Sequence, residues 1–394
     1  MTLPERDHAS LLATYTRLPM DIERGEGVYL IDTEGKRYLD FFGGLAVNAL
    51  GYAHPAILEA IGTQAARYIH VSNLFPQRPQ IELAERVRAL SGYDKLFFAN
   101  SGAEVMEAAF KLVRRWASIR RRKRILSFTG SFHGRTYAGM SLMDAPKYRD
   151  GFGPFLEGCE HLPFNDAAAL EAATGRDVAA VVLEFIQGEG GIVPATDEFV
   201  ETLFRLRDEH GFLIVADEIQ AGMGRTGRFL SFEHWGVQPD IVTMAKSLGG
   251  GLPLGALLVK GELTDVFDPG SHGSTFGGNP VACAAGREVV DALRDGLMKH
   301  AAQIGNMLME GLRALAAEHP GLITEIRGRG CMVGIECTRD MRVAMGLCLE
   351  EGLLINVTRE RVIRLLPPLI IEKQHVETAL GILSNILQHK QFRS

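Results

Sequence analysis

The chain has 394 residues, more than one ordinary domain holds, so two or more domains are expected. Apolar residues make up 46% and charged residues 23%, and 42 Lys plus Arg against 48 Asp plus Glu give a net charge of −6, which argues against nucleic acid or an anionic membrane as a partner. Five cysteines without a C-x-x-C pair, an amino terminus (MTLPERDHAS) without an apolar core, and no apolar run near the roughly 18 residues that span a bilayer together read as a cytoplasmic protein with reduced thiols.

Taken in chain order, residues 27–41 (GVYLIDTEGKRYLDF) are two β-type runs around the turn Asp32-Thr33-Glu34-Gly35. From about residue 56 helical patterns alternate with short apolar runs: KLFFA (95–99), RILSF (124–128), AAVVLEF (179–185), FLIVAD (212–217) and DIVTMAK (240–246). Short runs apolar on both faces and separated by helices predict an α/β fold with a mostly parallel central sheet covered on both sides. From about residue 300 a long amphipathic helix, RGRGCMVGIEC, a second helix and VIRLLPPLII predict a smaller α+β domain that shares its sheet with the amino-terminal segment. The expected division is a large domain of residues 56–299 and a small domain built from 1–55 and 300–394.

In open α/β sheets, ligands sit beyond the carboxyl ends of the strands, so the residues after each strand are the candidates. After KLFFA comes Asn100-Ser101-Gly102-Ala103-Glu104 at a helix start; free N–H groups beside a glycine fit a phosphate, and Ser101-x-x-Glu104 equally fits a capping box. After RILSF, Phe132 offers a stacking face and Arg135 a bidentate carboxylate site, against the alternatives of a core phenylalanine and a solvated arginine. His133 reads as an exposed loop residue or a base. Glu184 and Gln187-Gly188-Glu189-Gly190-Gly191 come after the next strand and fit a site or an ordinary turn. FLIVA ends in Asp217-Glu218-Ile219-Gln220, where a buried acid calls for a cationic partner. DIVTMA ends in Lys246 before Ser247-Leu248-Gly249-Gly250-Gly251, a candidate imine-forming lysine whose alternative is a snorkelling surface lysine.

Asp217 and Lys246 lie at the ends of two strands joined by one crossover, on one edge of the sheet. A lysine that holds an aldehyde, a carboxylate that keeps a ring nitrogen protonated and a helix terminus for a phosphate together meet the needs of pyridoxal-phosphate chemistry. Gly222-Met223-Gly224-Arg225-Thr226-Gly227 matches G-x-G-x-x-G but is separated from its strand and opens no helix, so it is a poor dinucleotide site. The basic run from Arg114 to Arg124 reads as a solvated helix end, and no His/Cys/Asp grouping has metal-ligand spacing.

The segments NSGAEVMEAAFK, SFHGRT, IQGEGG, ADEIQAGMGRTG, AKSLGGGLPLGA and GSTFGGNPVACAAG, in this order, resemble the class III (ω-) aminotransferases of pyridoxal-phosphate fold type I, over residues 15–390. HVSNLF, NALGYAHP and RVIRLLPPLII look most like the acetylornithine-specific members, whose reaction passes the δ-amine of N2-acetyl-L-ornithine to 2-oxoglutarate in arginine biosynthesis. Other ω-aminotransferases, acting on 4-aminobutyrate, succinylornithine or succinyl-diaminopimelate, are the nearest alternatives; glutamate-1-semialdehyde aminomutase is a more distant one. The resemblance implies that Lys246 holds the cofactor and shuttles the proton, and that Asp217 pairs with the pyridine nitrogen. It places Gln220 on the phenolic oxygen, Phe132 and Ile219 on the ring faces, and Ser101, Gly102 and Ala103 on the phosphate. Thr275, with Ser274 nearby, would reach the phosphate or substrate from a second subunit, so a homodimer is implied. Arg135 would bind the substrate carboxylate. Arg364 would bind the α-carboxylate of glutamate and be neutralised in turn by Glu189, in a loop whose glycines would let it move. Phe185 and Val105-Met106 depart from the family pattern, and Leu45 stands where the ornithine-specific members tend to have tyrosine.

Overall fold

The structure is a computed structural model that describes residues 3–392; residues 1, 2, 393 and 394, the outer ends of the expected small domain, lie outside it. Its centre is a seven-stranded sheet in the order Lys95–Ala99, Gly255–Val259, Ile241–Met244, Leu213–Asp217, Val178–Leu183, Arg124–Phe128, Cys159–Leu162. Neighbours pair in parallel except at Gly255–Val259, which is antiparallel to both its partners. The five runs singled out in the sequence are all strands of this sheet. The two others were not foreseen. CEHL is a partly polar edge strand, and GALLV follows Ile241–Met244 by a connection too short for a parallel crossover, so it must run back.

The central strands read as unbroken apolar runs because both faces are covered. Ile214, Ala216, Val242 and Met244 face one core, while Leu213, Val215 and Ile241 face the other. The second core is closed by the helix Gly102–Ser118, whose Val105, Ala108, Ala109, Leu112, Val113 and Trp116 recur at helical spacing and are buried. A large apolar side chain such as Leu112, fully buried, stabilises the fold by about 1.5–3 kcal/mol. The basic run after this helix is tied down rather than simply solvated. Arg120 pairs with Glu262 at 3.0 Å, Arg124 with Glu160 at 2.6 Å, and Arg122 donates to the carbonyls of Val178 and His210.

The amino-terminal segment forms the predicted hairpin, with Asp32 Oδ1 accepting the N–H groups of Glu34 and Lys36 and Gly35 at φ 86°. The expectation of one sheet shared by the two ends of the chain is only partly met. Ile22–Glu26, Tyr29–Asp32 and Arg37–Asp40 make one sheet, to which the carboxy-terminal part adds only the two-residue strand Leu353–Leu354. Ile323–Arg329, Met332–Cys337, Val362–Leu365 and Asn356–Thr358 form a separate antiparallel sheet. The chain turns into the second hairpin directly after Leu354, which limits the contact between the two.

Candidate active site

The strand ends Ala99, Leu183, Asp217 and Met244, and the start of Gly255–Val259, share one edge of the central sheet. A cavity of about 450 Å³ opens there. It is lined by residues that end or follow five different strands, Gly102, Phe132, Glu184, Asp217 and Lys246 among them. A larger cavity of about 600 Å³ between Arg67, Arg78 and Arg287 has none of these, and one of its three arginines, Arg287, is already paired with Glu82 at 2.7 Å.

Lys246 stands just past its strand end with φ 47°. Its amine is pushed down to about 8, first by burial and then by the Arg364 charge, against the opposing pull of Asp217, Glu189 and Glu184. Asp217 ends the neighbouring strand, in register with Thr243 on the strand that leads to Lys246. The crossover between the two strands is a glycine-rich loop with one 3-10 turn, Ser231–Trp235, rather than an α-helix. Asp217 is buried, and its partner is His133, whose Nδ1 lies 2.8 Å from Oδ2. The expectation of an exposed loop histidine at 133 is therefore wrong: the ring is 1% exposed, because Asp217 supplies the polar partner that makes its burial tolerable.

At the helix start Ser101 is the cap. Its hydroxyl accepts the Glu104 N–H at 3.2 Å, a true cap, while the Glu104 carboxylate turns back to the N–H of Asn100 at 2.8 Å. The N–H groups of Gly102 and Ala103 remain without an intrahelical acceptor and border the cavity. Gly102 lies against Ile219: a Cβ there would come within 2.9 Å of its Cδ1. Phe132 borders the same cavity and packs edge-on against Tyr148. Arg135 is exposed, its guanidinium 4.2 Å from the Tyr148 ring centroid, and it has no carboxylate partner among the described residues.

Glu184 had no assigned role. Its two oxygens accept the N–H groups of Phe132 and Gly188, each at 2.9 Å, so it braces the two loops on either side of the cavity. Burial, and then the Asp217 charge, push its carboxyl up to about 7. Beyond it, Glu189 Oε1 lies 2.5 Å from Arg364 Nη1. Burial works to raise the Glu189 carboxyl, but Arg364, by charge and hydrogen bond, together with Lys246 and Lys147 holds the group below the ordinary range. Arg364 sits mid-strand and fully buried, and also reaches Gln220 Oε1 at 3.4 Å and Asn356 Oδ1 at 2.6 Å.

Ser274 and Thr275 do not border this cavity within the chain. Ser274 accepts from Asn100 Nδ2 at 3.1 Å, one residue from the helix start, whereas Thr275 and Phe276 are exposed. The unusual residues are core fillers. Phe185 packs against Phe232 and Trp235, and Val105 and Met106 are buried behind the helix.

The arrangement offers a depressed lysine, a carboxylate held by histidine, a helix terminus with spare N–H donors and the unpaired Arg135 at one cavity, with Arg364 neutralised behind it by Glu189. A family model described as aminotransferase class-III matches residues 12–387. The chain is 46% identical over 389 residues to an acetylornithine aminotransferase of Caldanaerobacter subterraneus subsp. tengcongensis, covering 97% of this chain and 98% of that one. It is similar to the acetylornithine aminotransferase structure from Elizabethkingia anophelis, with a TM-score of 0.87, 35% identity and 97% of each chain covered. A Toxoplasma gondii ornithine aminotransferase structure with partial occupancy of PLP at its active site superimposes with a TM-score of 0.93 at 32% identity, over 97% of this chain and 93% of that one.

Proposed function

The chain belongs to the class-III aminotransferases, and on that premise we propose that it transfers the δ-amino group of N2-acetyl-L-ornithine to 2-oxoglutarate, giving N-acetyl-L-glutamate 5-semialdehyde and L-glutamate, a step of arginine biosynthesis. The enzyme depends on pyridoxal 5'-phosphate, as its family does. The observation that carries the choice of substrate is the contrast between the two arginines. Arg364 is closed by Glu189, while Arg135 has no carboxylate partner among the described residues. A site in that state suits a molecule whose reacting amine has no carboxylate on the same carbon but has one farther away, as acetylornithine does.

The residues present fit the cofactor: Gly102 leaves room for Ile219 and the first-turn N–H groups are free for an anion. When bound, pyridoxal phosphate supplies an aldehyde and a ring that takes up an electron pair. We assign Lys246 to hold that aldehyde and to move the proton at the reacting carbon. Asp217, fixed by His133, supplies the negative charge for the ring nitrogen. Ser101, Gly102 and Ala103 hold the phosphate, Phe132 and Ile219 the ring faces, and Gln220 the phenolic oxygen. Arg135 takes the distal carboxylate, and Arg364 takes the α-carboxylate of glutamate once Glu189 withdraws.

Thr275 of the partner subunit, with Ser274 nearby, completes the site in a homodimer. This reading is supported by the exposure of Thr275 and by the exposed apolar side chains Ile69, Leu74, Phe75 and Phe276 around it. We read residues 56–299 as a large domain and 1–55 with 300–394 as a small one. Five unpaired cysteines, and the absence among the described residues of a helix able to cross a membrane, fit a cytoplasmic enzyme.

The test is a panel of amino donors with 2-oxoglutarate, comparing kcat/KM for N-acetylornithine, ornithine, succinylornithine and 4-aminobutyrate. N-acetylornithine should lead by at least about tenfold over ornithine. A higher value for 4-aminobutyrate would replace this substrate, and turnover of an amino-aldehyde without any acceptor would favour an aminomutase.

A further inference from the structure

Asn356 and Arg364 stand directly opposite each other on antiparallel strands, so their side chains share one face of the sheet. Asn356 Oδ1 accepts from both Nε, at 3.1 Å, and Nη2, at 2.6 Å. One neutral oxygen thus occupies the whole Nε/Nη2 edge of the guanidinium. Glu189 and Gln220 both meet the remaining nitrogen, Nη1, at 2.5 and 3.4 Å. A guanidinium has two edges that can grip a carboxylate with paired N–H donors, the Nε/Nη2 side and the Nη1/Nη2 end. With the side blocked, only the end is left, and Glu189 is already there.

We propose that Asn356 is a positioning residue that closes the side edge of Arg364, so that Glu189 and an incoming substrate carboxylate must compete for the end edge. The inference rests on the proposed exchange of Glu189 for the carboxylate of glutamate. Two properties of asparagine matter. Its oxygen fixes the aim of the guanidinium, and its lack of charge leaves the cation's full attraction for whichever carboxylate occupies the end. An aspartate of the same shape would keep the aim and neutralise the cation permanently. Glutamate and 2-oxoglutarate would then lose their anchor, whereas an amine with no neighbouring carboxylate would not.

The experiment compares the holoenzyme with Asn356→Asp and Asn356→Ala. Binding is read with glutarate, a five-carbon dicarboxylate without the reactive carbonyl, by calorimetry. Single turnovers are read separately with glutamate and with N-acetylornithine. For Asn356→Asp, glutarate Kd should rise about ten- to a hundredfold and the glutamate half-reaction should slow comparably, with the acetylornithine half-reaction within about threefold of wild type. Asn356→Ala should do less harm to glutarate binding than Asn356→Asp, because it loosens the arginine without neutralising it. A merely structural asparagine would give the opposite order, the isosteric aspartate being the milder change. That order, equal losses in both half-reactions, or unchanged glutarate binding in Asn356→Asp would each overturn the proposal. A wild type that turns over glutamate but not N-acetylornithine would refute the substrate assignment and leave the role of Asn356 standing.

Discussion

Lys246 holds a backbone angle, φ 47°, that costs a non-glycine residue about 1–2 kcal/mol. Such strain persists only where the surroundings enforce it, and here it turns the side chain from the end of a buried strand into the cavity. The same burial lowers its amine to about 8 from 10.5. At pH 7 about one such amine in ten is neutral, against roughly one in three thousand for an ordinary lysine. A lysine whose folded value lies below its unfolded one costs stability while charged. That cost is present below about pH 8 and fades as the pH rises toward 10.5. Only the neutral amine attacks an aldehyde, so cofactor-free enzyme should take up pyridoxal phosphate faster as pH rises from 6 and level off near 8, by stopped-flow absorbance. A rate still climbing steeply at pH 9.5 would mean an unperturbed lysine. His133 is the counterpart at residue scale: its role depends on Asp217, 84 residues away, and no local pattern announces it.

At the scale of elements, Gly188 and Gly190 beside Glu189 serve close packing, while Gly191 takes a backbone angle, φ 103°, that favours glycine. The loop backbone is pinned: Gly188 N–H to Glu184, Glu189 carbonyl to Thr358, Gly191 carbonyl to Arg327. We propose that any exchange at Arg364 is a rotation of the Glu189 side chain on this backbone. A Cβ on Gly188 would collide with the end of the Gln220 side chain, which can swing away. One on Gly190 would come within 2.8 Å of the Gly130 carbonyl, which cannot. Gly188→Ala should therefore keep its Tm within a few degrees while kcat/KM for glutamate falls about tenfold. Gly190→Ala should lose about 1–3 kcal/mol of stability in urea unfolding. Equal thermal losses would contradict the distinction.

The difference between local pattern and distant pairing also decides which parts were legible in the sequence. Buried parallel strands are continuous apolar runs, so five of seven were readable, and Lys246, Asp217 and Phe132 lie at their ends or within a few residues beyond. Gly255–Val259 was missed because its place depends on pairing between Ile241–Met244 and Lys95–Ala99. Asn356 was missed because only hairpin register sets it against Arg364.

For the whole molecule, the cavity is lined from distant stretches of chain, the helix start near 101 and the strand ends at 184, 217 and 246, and Arg364 of the carboxy-terminal sheet lies behind it, against the lining residues Glu189 and Gln220. The proposed dimer adds one more. Asn73 ties the exposed apolar segment 69–75 to the carbonyls of Ser274 and Gly277, so both parts belong to one face. Leu74→Glu with Phe276→Glu should give monomers in sedimentation and less than about a tenth of wild-type turnover, whereas a fully active monomer would remove Thr275 from the site. We propose that one pocket accepts two unlike amino donors because Glu189 and a substrate carboxylate alternate on Arg364. The most direct measurement is the single-turnover rate of each half-reaction in Glu189→Ala and Arg364→Ala. Glu189→Ala should slow the acetylornithine half-reaction at least about tenfold more than the glutamate half-reaction, and Arg364→Ala should show the reverse. Equal losses in both half-reactions for Glu189→Ala would contradict the alternation and leave a static ion pair.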